Sequence, residues 1–498
     1  MGNQKQQILS AYSHFFNTTL NERIQQSIDK DNVTSMLSLF HEVAATVPAY
    51  KMFLQEHSID PEEIQTPAQF QALPAITKEN YIQRYPLAER CRDGKLAASD
   101  MMAASSGSTG EPTLWPRSVI DELKMATRFE QIFLDSFEAD GKSTLAIVCF
   151  SLGTCVGGMY TASCCRYLAQ KGYPITVITP GNRKEEILRL VKRVGGAFEQ
   201  VVLLGYPPFL KDVIDTGQSQ GLNWPDYRVK MVTAGEVFSE EWRELVAERL
   251  GSERVCYDFA SLYGTADAGV LGNETPLSIY IRRFLSAHPD VARALFGEAR
   301  LPTLVQYDPA CRFFEVDKGK LLFSGDNGVP LMRYSIKDTG GIVSYADMLS
   351  FLSRHGCDPS AEFKNSSGLR PLPFVYVFGR FDFTVSYFGA NIYPENISVG
   401  LEQPQIRDWV TGKFVMRVGE DDGHNRFLSI VVELMPGETQ SEARKNQLTE
   451  SIVTQLLRLN SEFSSYVPKA SQRPVVSLTP MGDPDYFPVG VKHRYTQR

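Results

Sequence analysis

The sequence predicts an α/β protein whose large amino-terminal domain is built on a doubly wound parallel sheet. Three observations lead to this class. Short apolar runs alternate with amphipathic stretches between residues 120 and 260. After about residue 300 the sequence becomes rich in strand patterns and turns, and a last block from about 384 has strands and a helix of its own. With 498 residues the chain is too long for one hydrophobic core, so we expect at least two domains.

The first elements are helical, because residues 5–90 carry apolar residues at helical spacing. The alternating region follows. Its predicted strands are "TLAIVCF" (144–150), "PITVIT" (174–179), "EQVVLLG" (199–205), "VKMVTAGE" (229–236) and "RVCYDFASLYG" (254–264). Its predicted helices cover 120–138, 162–172, 184–195 and 239–251. Short apolar strands that alternate with amphipathic helices predict a parallel sheet covered on both faces.

The remaining elements are predicted in two groups. The segments "TLVQYDP", "KGKLLFSGDNGVP" and "PFVYVFGR" indicate a β-rich subdomain of the large domain. The strands "KFVMRV" and "RFLSIVVEL" and the helix "EARKNQLTESIVTQLLRLN" indicate a small α+β domain. We therefore predict an amino-terminal domain over 1–378 and a carboxy-terminal domain over 379–498, with a hinge near 379–384.

Composition excludes several classes of protein. The chain is 43% hydrophobic and 22% charged, as is ordinary for soluble globular proteins. A net charge of −7 without a basic block argues against nucleic acid as a partner. The apolar runs have only strand length, so no membrane span is expected. The amino terminus lacks the apolar core of a secretory signal, and Cys149, Cys155, Cys164 and Cys165 lie in apolar sequence. These features predict reduced, buried thiols in a cytoplasmic protein.

The segment "SSGSTGEPT" (105–113) is the first candidate functional motif. Glycines let consecutive backbone N–H groups converge on an anion, and hydroxyls add short donors, so the composition suits phosphate binding. A mobile polar loop is the alternative interpretation. The chain lacks the GxxxxGK[ST] pattern and its phosphate-binding lysine, and it lacks a GxGxxG after a strand. The loop by itself leaves both interpretations open.

Six further segments follow the motifs of one enzyme family in chain order, and each resembles its counterpart. The six segments are "ALPAITKENYIQRYP" (72–86), "TAGEVFSEEWR" (233–243), "YGTADAG" (263–269), "VPLMRYSIKDTG" (329–340), "GRFDFTVSYFGANIYPENI" (379–397) and "FPVGVKHRY" (487–495). The loop over 105–113 is the seventh match. Together they resemble the adenylate-forming superfamily of acyl-CoA synthetases, in particular its phenylacetate–CoA ligase-like branch. The matches cover most of the chain.

The resemblance implies an activity and its partners. It implies ATP-dependent activation of a carboxylic acid as an acyl-adenylate, release of pyrophosphate, and transfer of the acyl group to a thiol, with coenzyme A as the expected acceptor. A carrier-protein thiol or an amine is the alternative acceptor, although no carrier-type serine motif follows residue 400. A catalytically weak nucleotide-binding protein is the alternative from another class. The oligomeric state stays open, and a homodimer is compatible with the sequence.

The resemblance also implies the site residues. The carboxylate of Asp338 would accept the two ribose hydroxyls, against the alternative of a turn aspartate. Arg380 would reach the ribose or a phosphate as a catalytic residue, against the alternative of a surface salt bridge. The implied nucleotide-binding residues, in addition to these two, are Ser105, Ser106, Gly107, Ser108, Thr109, Gly110, Gly235, Glu236, Tyr263, Gly264 and Thr265.

Two catalytic residues depart from the family pattern. Asp267 stands where the family has the glutamate that binds Mg²⁺, and Ala266 before it has no hydroxyl, which Thr265 could supply from a shifted register. Lys492 matches the lysine that bridges the carboxylate and the α-phosphate, but Val491 separates it from the preceding glycine. A solvated tail lysine is the alternative.

Two further expectations concern the hinge and the substrate. Asp382 matches the position about which the family's small, mobile domain turns. Apolar and aromatic residues in 149–160, 203–210 and 233–263 favour a small aryl or other apolar acid as substrate.

Overall fold

The computed structural model describes all residues except 1, 106–112, 155, 236, 299, 364–367, 381–384, 389, 421–425, 461–462, 465–466, 489–492, 494 and 497–498. The side chains of residues 2–4, 98, 105, 380, 386, 391 and 420 are likewise outside the description.

The chain forms two compact units. The first comprises Met1–Glu236, Leu250–Ile281 and Thr303–Phe378, and the second comprises Val237–Arg249, Arg282–Pro302 and Gly379–Arg498. Two segments that the sequence placed in the large domain, 237–249 and 282–302, thus join the carboxy-terminal residues. The predicted separation into a domain over 1–378 and a domain over 379–498, hinged near 379–384, stays a prediction.

The helices follow the sequence patterns closely. They are α1 (Gly2–Asn17), α2 (Leu20–Asp29), α3 (Asn32–Thr46), α4 (Pro48–Glu56), α5 (Pro67–Gln71), α6 (Val119–Gln131), α7 (Val156–Gln170), α8 (Lys184–Val194), α9 (Pro207–Ser219), α10 (Glu240–Leu250), α11 (Val255–Asp258), α12 (Pro276–Ala287), α13 (Pro289–Phe296), α14 (Tyr345–Arg354), α15 (Pro359–Glu362), α16 (Pro394–Leu401) and α17 (Glu442–Leu459).

The strands are short, apart from three long ones in the last half of the chain. They are β1 (Ile76–Thr77), β2 (Met101–Ser105), β3 (Thr113–Arg117), β4 (Thr144–Val148), β5 (Ile175–Ile178), β6 (Gln200–Gly205), β7 (Lys230–Ala234), β8 (Phe259–Thr265), β9 (Gly269–Asn273), β10 (Thr303–Gln306), β11 (Phe313–Asp317), β12 (Lys320–Gly325), β13 (Leu331–Val343), β14 (Phe374–Arg380), β15 (Val385–Tyr387), β16 (Ala390–Ile392), β17 (Val410–Glu420), β18 (Arg426–Leu434) and β19 (Val475–Thr479).

A mixed sheet of twelve strands runs through the first unit, counted over the described residues. Its order is β11-β12-β13-β14-β10-β9-β8-β7-β6-β4-β5, and β1 pairs with β13. The strands β5, β4, β6, β7 and β8 are parallel neighbours, which confirms the predicted parallel sheet. The β-rich segments after residue 300 continue this sheet through antiparallel pairs. The predicted β-rich subdomain therefore shares one sheet with the parallel strands.

Helices cover both faces of the parallel strands, as the alternation predicted. Val202 and Leu204 of β6 lie in one core cluster with the buried faces of α6 and α7. Their neighbours Val201 and Leu203 are also fully buried, and their side chains point to the opposite face. Leu210 of α9 packs so close to β6 that a Cβ at Gly205 would lie 2.9 Å from it. A strand that is buried on both faces has an uninterrupted apolar sequence, which explains the composition of β6.

The second unit has its own sheet and core. The strands β17, β18 and β19 form a three-stranded sheet, on which α16 and α17 pack in one apolar cluster. The two helices approach closely at Gly400, where a Cβ would lie 2.9 Å from the Cα of Ile452. Ser451 also donates a hydrogen bond of 2.7 Å to the carbonyl of Gly400. This part matches the α+β pattern predicted for the end of the chain.

Two sequence expectations have outcomes in the described residues. Cys149, Cys164 and Cys165 are buried and form no disulfide, as predicted, and Cys155 lies outside the description. Burial raises the pKa of the Cys149 thiol, so that this thiol is poorly reactive. Among the described helices, none has both the length and the apolar composition that a membrane span requires.

Candidate nucleotide site

Two of the motif segments lie at the carboxyl ends of neighbouring parallel strands. The strand β7 ends at Ala234, directly before Gly235, and its parallel neighbour β8 ends at Thr265. Gly235 has a φ of +90°, which side chains rarely allow, so glycine fits the turn that leaves β7. Because these strands are parallel, both turns lie at the same edge of the sheet. Ligands bind at this edge in open α/β sheets.

The structure brings Tyr263 and Asp338 together from different parts of the chain. The Tyr263 hydroxyl donates a hydrogen bond of 2.8 Å to Oδ2 of Asp338, and Asp338 is buried. Asp338 lies in β13 next to Lys337, whose φ of +67° is left-handed. The pairing of β12 with β13 shifts register in this region. Backbone strain of this kind is common at binding sites.

A second tyrosine–carboxylate pair includes Asp267. The hydroxyl of Tyr334 donates a hydrogen bond of 2.5 Å to Oδ2 of Asp267. Tyr334 is 1% exposed and belongs to the core of the first unit, so its ring is fixed by packing. It stands four residues before Asp338 on the same strand. One strand, β13, therefore supplies a partner for Asp267 and also carries Asp338.

A hydrogen bond between a side chain and the backbone closes the turn over 265–268. The Oγ1 of Thr265 accepts a hydrogen bond of 3.1 Å from the N–H of Ala268. A Cβ at Gly264 would lie 2.6 Å from the carbonyl oxygen of Gly269, so this position needs glycine. The hydroxyl that we considered as a replacement for the one missing at Ala266 is thus engaged within the turn.

Two arginines that sequence reasoning missed contact this turn. Nη2 of Arg117 donates to the carbonyls of Ala266 and Asp267 at 2.6 and 2.7 Å. Nη2 of Arg312 donates to the carbonyl of Ala268 at 2.9 Å. Both arginines are buried. For Arg117, the sequence did offer a signal, because a charged residue stands at the end of the apolar strand "TLWPR", directly after the proposed phosphate loop.

The proposed phosphate loop is flanked by the two strands of a hairpin. The strands β2 and β3 are antiparallel, and Ser105 pairs with Thr113 at the end of the hairpin next to residues 106–112. Several of the predicted site residues lie outside the described part of the chain: Ser106, Gly107, Ser108, Thr109, Gly110, Glu236, Asp382 and Lys492. Only the backbone of Ser105 and Arg380 is described, and Arg380 ends β14.

The fit of the described residues to Mg²⁺ rests on Asp267. No group of three or more His, Cys, Asp or Glu side chains suited to a metal occurs among the residues that the structure describes. Mg²⁺ at nucleotide sites is often held by one or two carboxylates together with phosphate oxygens. A single ordered carboxylate that accepts a hydrogen bond from Tyr334 therefore fits this kind of site.

The sequence matches no protein-family model and no curated protein. Solved structures do match. A 2-hydroxyisobutyryl-CoA ligase in its postadenylation state, in complex with R3-HIB-AMP, has a TM-score of 0.65 at 13% identity over 94% of this chain and 88% of its own. An acyl acid amido synthetase, AtGH3.15 in complex with 2,4-DB, has a TM-score of 0.58 at 12% identity over 100% and 94%.

The chain has the fold of the adenylate-forming ligases. An anthranilate-CoA ligase, AuaEII in complex with anthranoyl-AMP, has a TM-score of 0.50 at 13% identity over 76% of this chain and 63% of its own. At such identities the likeness concerns the fold, and the closer resemblance to the phenylacetate–CoA ligase branch stays a prediction.

Proposed function

We propose that the protein activates a carboxylic acid with ATP and transfers the resulting acyl group to the thiol of coenzyme A. The observation that carries this proposal is the pair of ordered carboxylates, Asp338 beside Tyr263 and Asp267 beside Tyr334. Both carboxylates stand where the sequence resemblance implies a nucleotide site. They occur on a fold whose solved examples contain acyl-AMP and coenzyme A, such as 2-hydroxyisobutyryl-CoA ligase with 2-HIB-AMP and CoA.

The proposed roles follow from the charges in the reaction. A carboxylate oxygen of the acid attacks the α-phosphorus, and the bond from that phosphorus to the bridging oxygen of pyrophosphate breaks. Two anions must approach each other, so the site has to neutralise charge. Asp338 accepts the ribose hydroxyls, residues 105–110 bind the β- and γ-phosphates, and Gly235 and Glu236 border the adenine.

Asp267 would hold Mg²⁺, which supplies positive charge to the phosphates when bound. Arg380 completes the proposed set at the ribose or a phosphate. The Tyr334 hydroxyl would orient the Asp267 carboxylate for this role through its hydrogen bond to Oδ2.

The acid is proposed to be small and either aromatic or apolar, as in a phenylacetate–CoA ligase. The second candidate acceptor is an amine. The TM-score of 0.58 to an acyl acid amido synthetase, over the whole of this chain, favours keeping that candidate. A catalytically weak nucleotide-binding protein is the third candidate, because Ala266 lacks a hydroxyl and Val491 displaces Lys492 by one position.

Pyrophosphate release from ATP and Mg²⁺ with a panel of carboxylic acids tests the proposal. We expect release with at least one small aryl or apolar acid, followed by thioester formation when coenzyme A is added. An amide formed with an amine, but no thioester, would establish the second candidate. ATP binding without pyrophosphate release for any acid would establish the third. The Asp338→Ala variant is the control for release at an unrelated site.

Lys492 gives a test of the two steps separately. Its charge matters while the bond between the acyl group and the α-phosphate forms, so Lys492→Ala should lower adenylation by roughly 10²–10³-fold. The same variant, supplied with preformed acyl-adenylate, should form the thioester at nearly the wild-type rate. Equal loss in both steps would reduce Lys492 to a structural role.

A further inference from the structure

The loop between β12 and β13 contacts both segments that carry the phosphate side of the proposed site. Its residues are the last one of β12 and the three that follow, "GDNG", and we call them the 325–328 loop. One neighbour of this loop is the end of β3, the strand that follows the proposed phosphate loop. The other is Arg312, which donates to the carbonyl of Ala268 in the turn over 265–268. The 325–328 loop therefore touches two parts of the site that come from distant positions in the sequence.

Gly328 packs directly on the backbone at the end of β3. A Cβ at this position would lie 2.2 Å from the carbonyl oxygen of Pro116 and 3.1 Å from the amide nitrogen of Arg117. Backbone atoms cannot avoid such a contact by a side-chain rotation, so any other residue at 328 would displace the end of the strand. Nη2 of Arg117 donates to the carbonyls of Ala266 and Asp267. A displacement at Gly328 would therefore also reach the turn that carries Asp267.

Asn327 holds the second arginine of this turn. Its Oδ1 accepts a hydrogen bond of 2.8 Å from Nη2 of Arg312, and the same nitrogen donates to the carbonyl of Ala268 at 2.9 Å. The guanidinium also lies against Gly325, where a Cβ would be 2.8 Å from Nη1. Asn327 is 5% exposed, and its Nδ2 has no hydrogen-bond partner among the described residues. The contribution that the contacts of this side chain show is therefore the orientation of Arg312.

The 325–328 loop is fixed from its other side by charged contacts. Asp326 pairs with Nη2 of Arg92 at 2.7 Å and with Nζ of Lys124 at 3.4 Å. Lys124, on α6, also donates to the backbone carbonyl of Asp326 at 3.1 Å. Because Asp326 is bound by two cations from different elements, the two residues that follow it have little freedom to move.

We propose that Asn327 and Gly328 are positioning residues, which keep the end of β3 and the turn over 265–268 at a fixed separation. The inference rests on the proposed function, because it assigns these residues to the phosphate and Mg²⁺ side of the nucleotide. The strand β3 follows the proposed phosphate loop, and the turn carries Asp267, the proposed Mg²⁺ ligand. Substitution of residues behind a metal ligand commonly changes metal affinity by about 10–100-fold.

Two measurements on the full-length protein test this proposal. The first is hydrogen exchange of the backbone over 263–270, where the N–H of Ala268 donates to Thr265. The second is calorimetry with two probes, ATP with Mg²⁺ and AMP without it. The variants are Gly328→Ala, which crowds the end of β3, and Asn327→Leu, which keeps a branched side chain and removes the acceptor for Arg312.

We expect both variants to loosen the turn and to weaken binding of the metal-dependent probe. Exchange over 263–270 should become about threefold to tenfold faster, the scale of one lost hydrogen bond. The affinity for ATP with Mg²⁺ should fall about tenfold. The affinity for AMP should change by no more than about twofold, as for an independent site, because the ribose hydroxyls are assigned to Asp338 on β13.

Two further variants separate positioning from general stability. Asn327→Asp keeps an oxygen acceptor for Arg312, so both measurements should return close to the wild-type values. Gly217→Ala is the matched control in α9, since a Cβ there would lie 2.5 Å from the ring of Trp224. This control should lower the free energy of unfolding and leave exchange over 263–270 and both affinities unchanged. If Gly328→Ala does not fold, the two variants of Asn327 still provide the comparison.

The outcomes separate this inference from the proposed function. Exchange over 263–270 that is unchanged in Asn327→Leu and Gly328→Ala, or that changes equally in Gly217→Ala, would overturn the inference. Equal weakening of ATP and AMP would overturn it too, as would faster exchange without any loss of affinity for ATP with Mg²⁺. A wild type that binds neither ATP nor AMP would refute the proposed function instead. In that case, faster exchange confined to Asn327→Leu and Gly328→Ala would still support the positioning of the turn, and its absence would exclude it.

Discussion

The hydroxyl of Tyr263 donates a 2.8 Å hydrogen bond to Oδ2 of Asp338, although 75 residues separate them in the sequence. Tyr263 stands near the end of β8 and Asp338 in β13, and several strands of the same sheet lie between those two. The hydrogen bond fixes the orientation of a buried carboxylate that we assign to the ribose. The contribution of this pair to nucleotide binding can be measured by substituting each of the two residues.

Asp338→Ala should weaken the binding of ATP and AMP by roughly 10–100-fold, because a carboxylate that accepts two hydroxyls contributes about 1.5–3 kcal/mol. Tyr263→Phe keeps the ring and the carboxylate, so it should cost about 1 kcal/mol, or roughly fivefold. Calorimetry with AMP measures both. The exposed Asp317 of β11 is the matched control, and Asp317→Ala should bind AMP as the wild type does. AMP binding that is unchanged in Asp338→Ala would exclude the ribose assignment.

The pair formed by Tyr334 and Asp267 should be visible in the dependence of activity on Mg²⁺. Tyr334→Phe removes only the hydroxyl that orients Asp267, so the Mg²⁺ concentration for half-maximal pyrophosphate release should rise about tenfold. Asp267→Asn should raise it further. The matched control is Tyr307→Phe, which removes a hydroxyl from another buried tyrosine of the same core. If Tyr334→Phe and Tyr307→Phe have the same Mg²⁺ dependence, the tyrosine does not serve the metal ligand.

A buried ion-pair cluster should make the second unit sensitive to acid. Glu240 pairs with Arg282 at 2.7 Å and with Arg243 at 3.0 Å, and all three side chains are buried. Burial acts to raise the pKa of Glu240, but the two arginines prevail and hold it below its usual range. A depressed pKa gives stability that is present above the unfolded value of 4.5 and is lost as the pH falls through the folded pKa.

Glu240→Gln should therefore lower the free energy of unfolding by about 3 kcal/mol at pH 7, since it leaves two buried guanidinium groups without a counter-charge. The difference from the wild type should shrink as the pH falls below 4.5. Denaturant unfolding at a series of pH values measures both effects. The exposed pair of Arg293 and Asp290 is the control, and Arg293→Ala should change stability very little. A constant difference at every pH would contradict the role assigned to the Glu240 charge.

His493 should oppose folding of the second unit at mildly acidic pH. Its ring stacks on Phe487 with centroids 5.9 Å apart and meets Tyr495 edge-on at 4.5 Å. Its pKa is lowered from 6.5 to about 4, chiefly by burial and also by the charge of Lys413, while a hydrogen bond with the backbone of Phe414 opposes the shift. The unfolded chain therefore takes up a proton first, and stability falls as the pH drops from 6.5 towards 4.

His493→Phe should remove this dependence, because a phenyl ring fits among aromatic neighbours and replaces a buried Nε2 that has no hydrogen-bond partner among the described residues. The wild type should lose about 1–3 kcal/mol relative to His493→Phe over that pH interval. Unfolding curves of both proteins between pH 7 and pH 4 give the comparison. Parallel pH profiles would mean that His493 titrates normally in the folded protein.

The sequence by itself determined the element types and the order of the motifs. Apolar runs such as 199–205 are continuous because a parallel strand is buried on both faces, and α8 and α17 show the spacing of an amphipathic helix. These are local patterns, repeated within a few residues, so they can be recognised without knowing the partners. The same holds for Gly235, since a left-handed turn after a strand favours glycine.

Only the tertiary structure decided which of those residues meet. Nothing local distinguishes Tyr334 as the partner of Asp267, or Arg117 as the arginine that holds the carbonyls of residues 266 and 267. The contact of Tyr334 with Asp267 joins positions 67 residues apart, and the contacts of Arg117 join positions about 150 residues apart. Such contacts depend on which strands are neighbours in the folded sheet, and the local sequence around each residue does not reveal this. The segments 237–249 and 282–302 joined the second unit for the same reason. Their apolar faces predict that these two segments are buried. Which residues they pack against is determined by the packing of the whole chain.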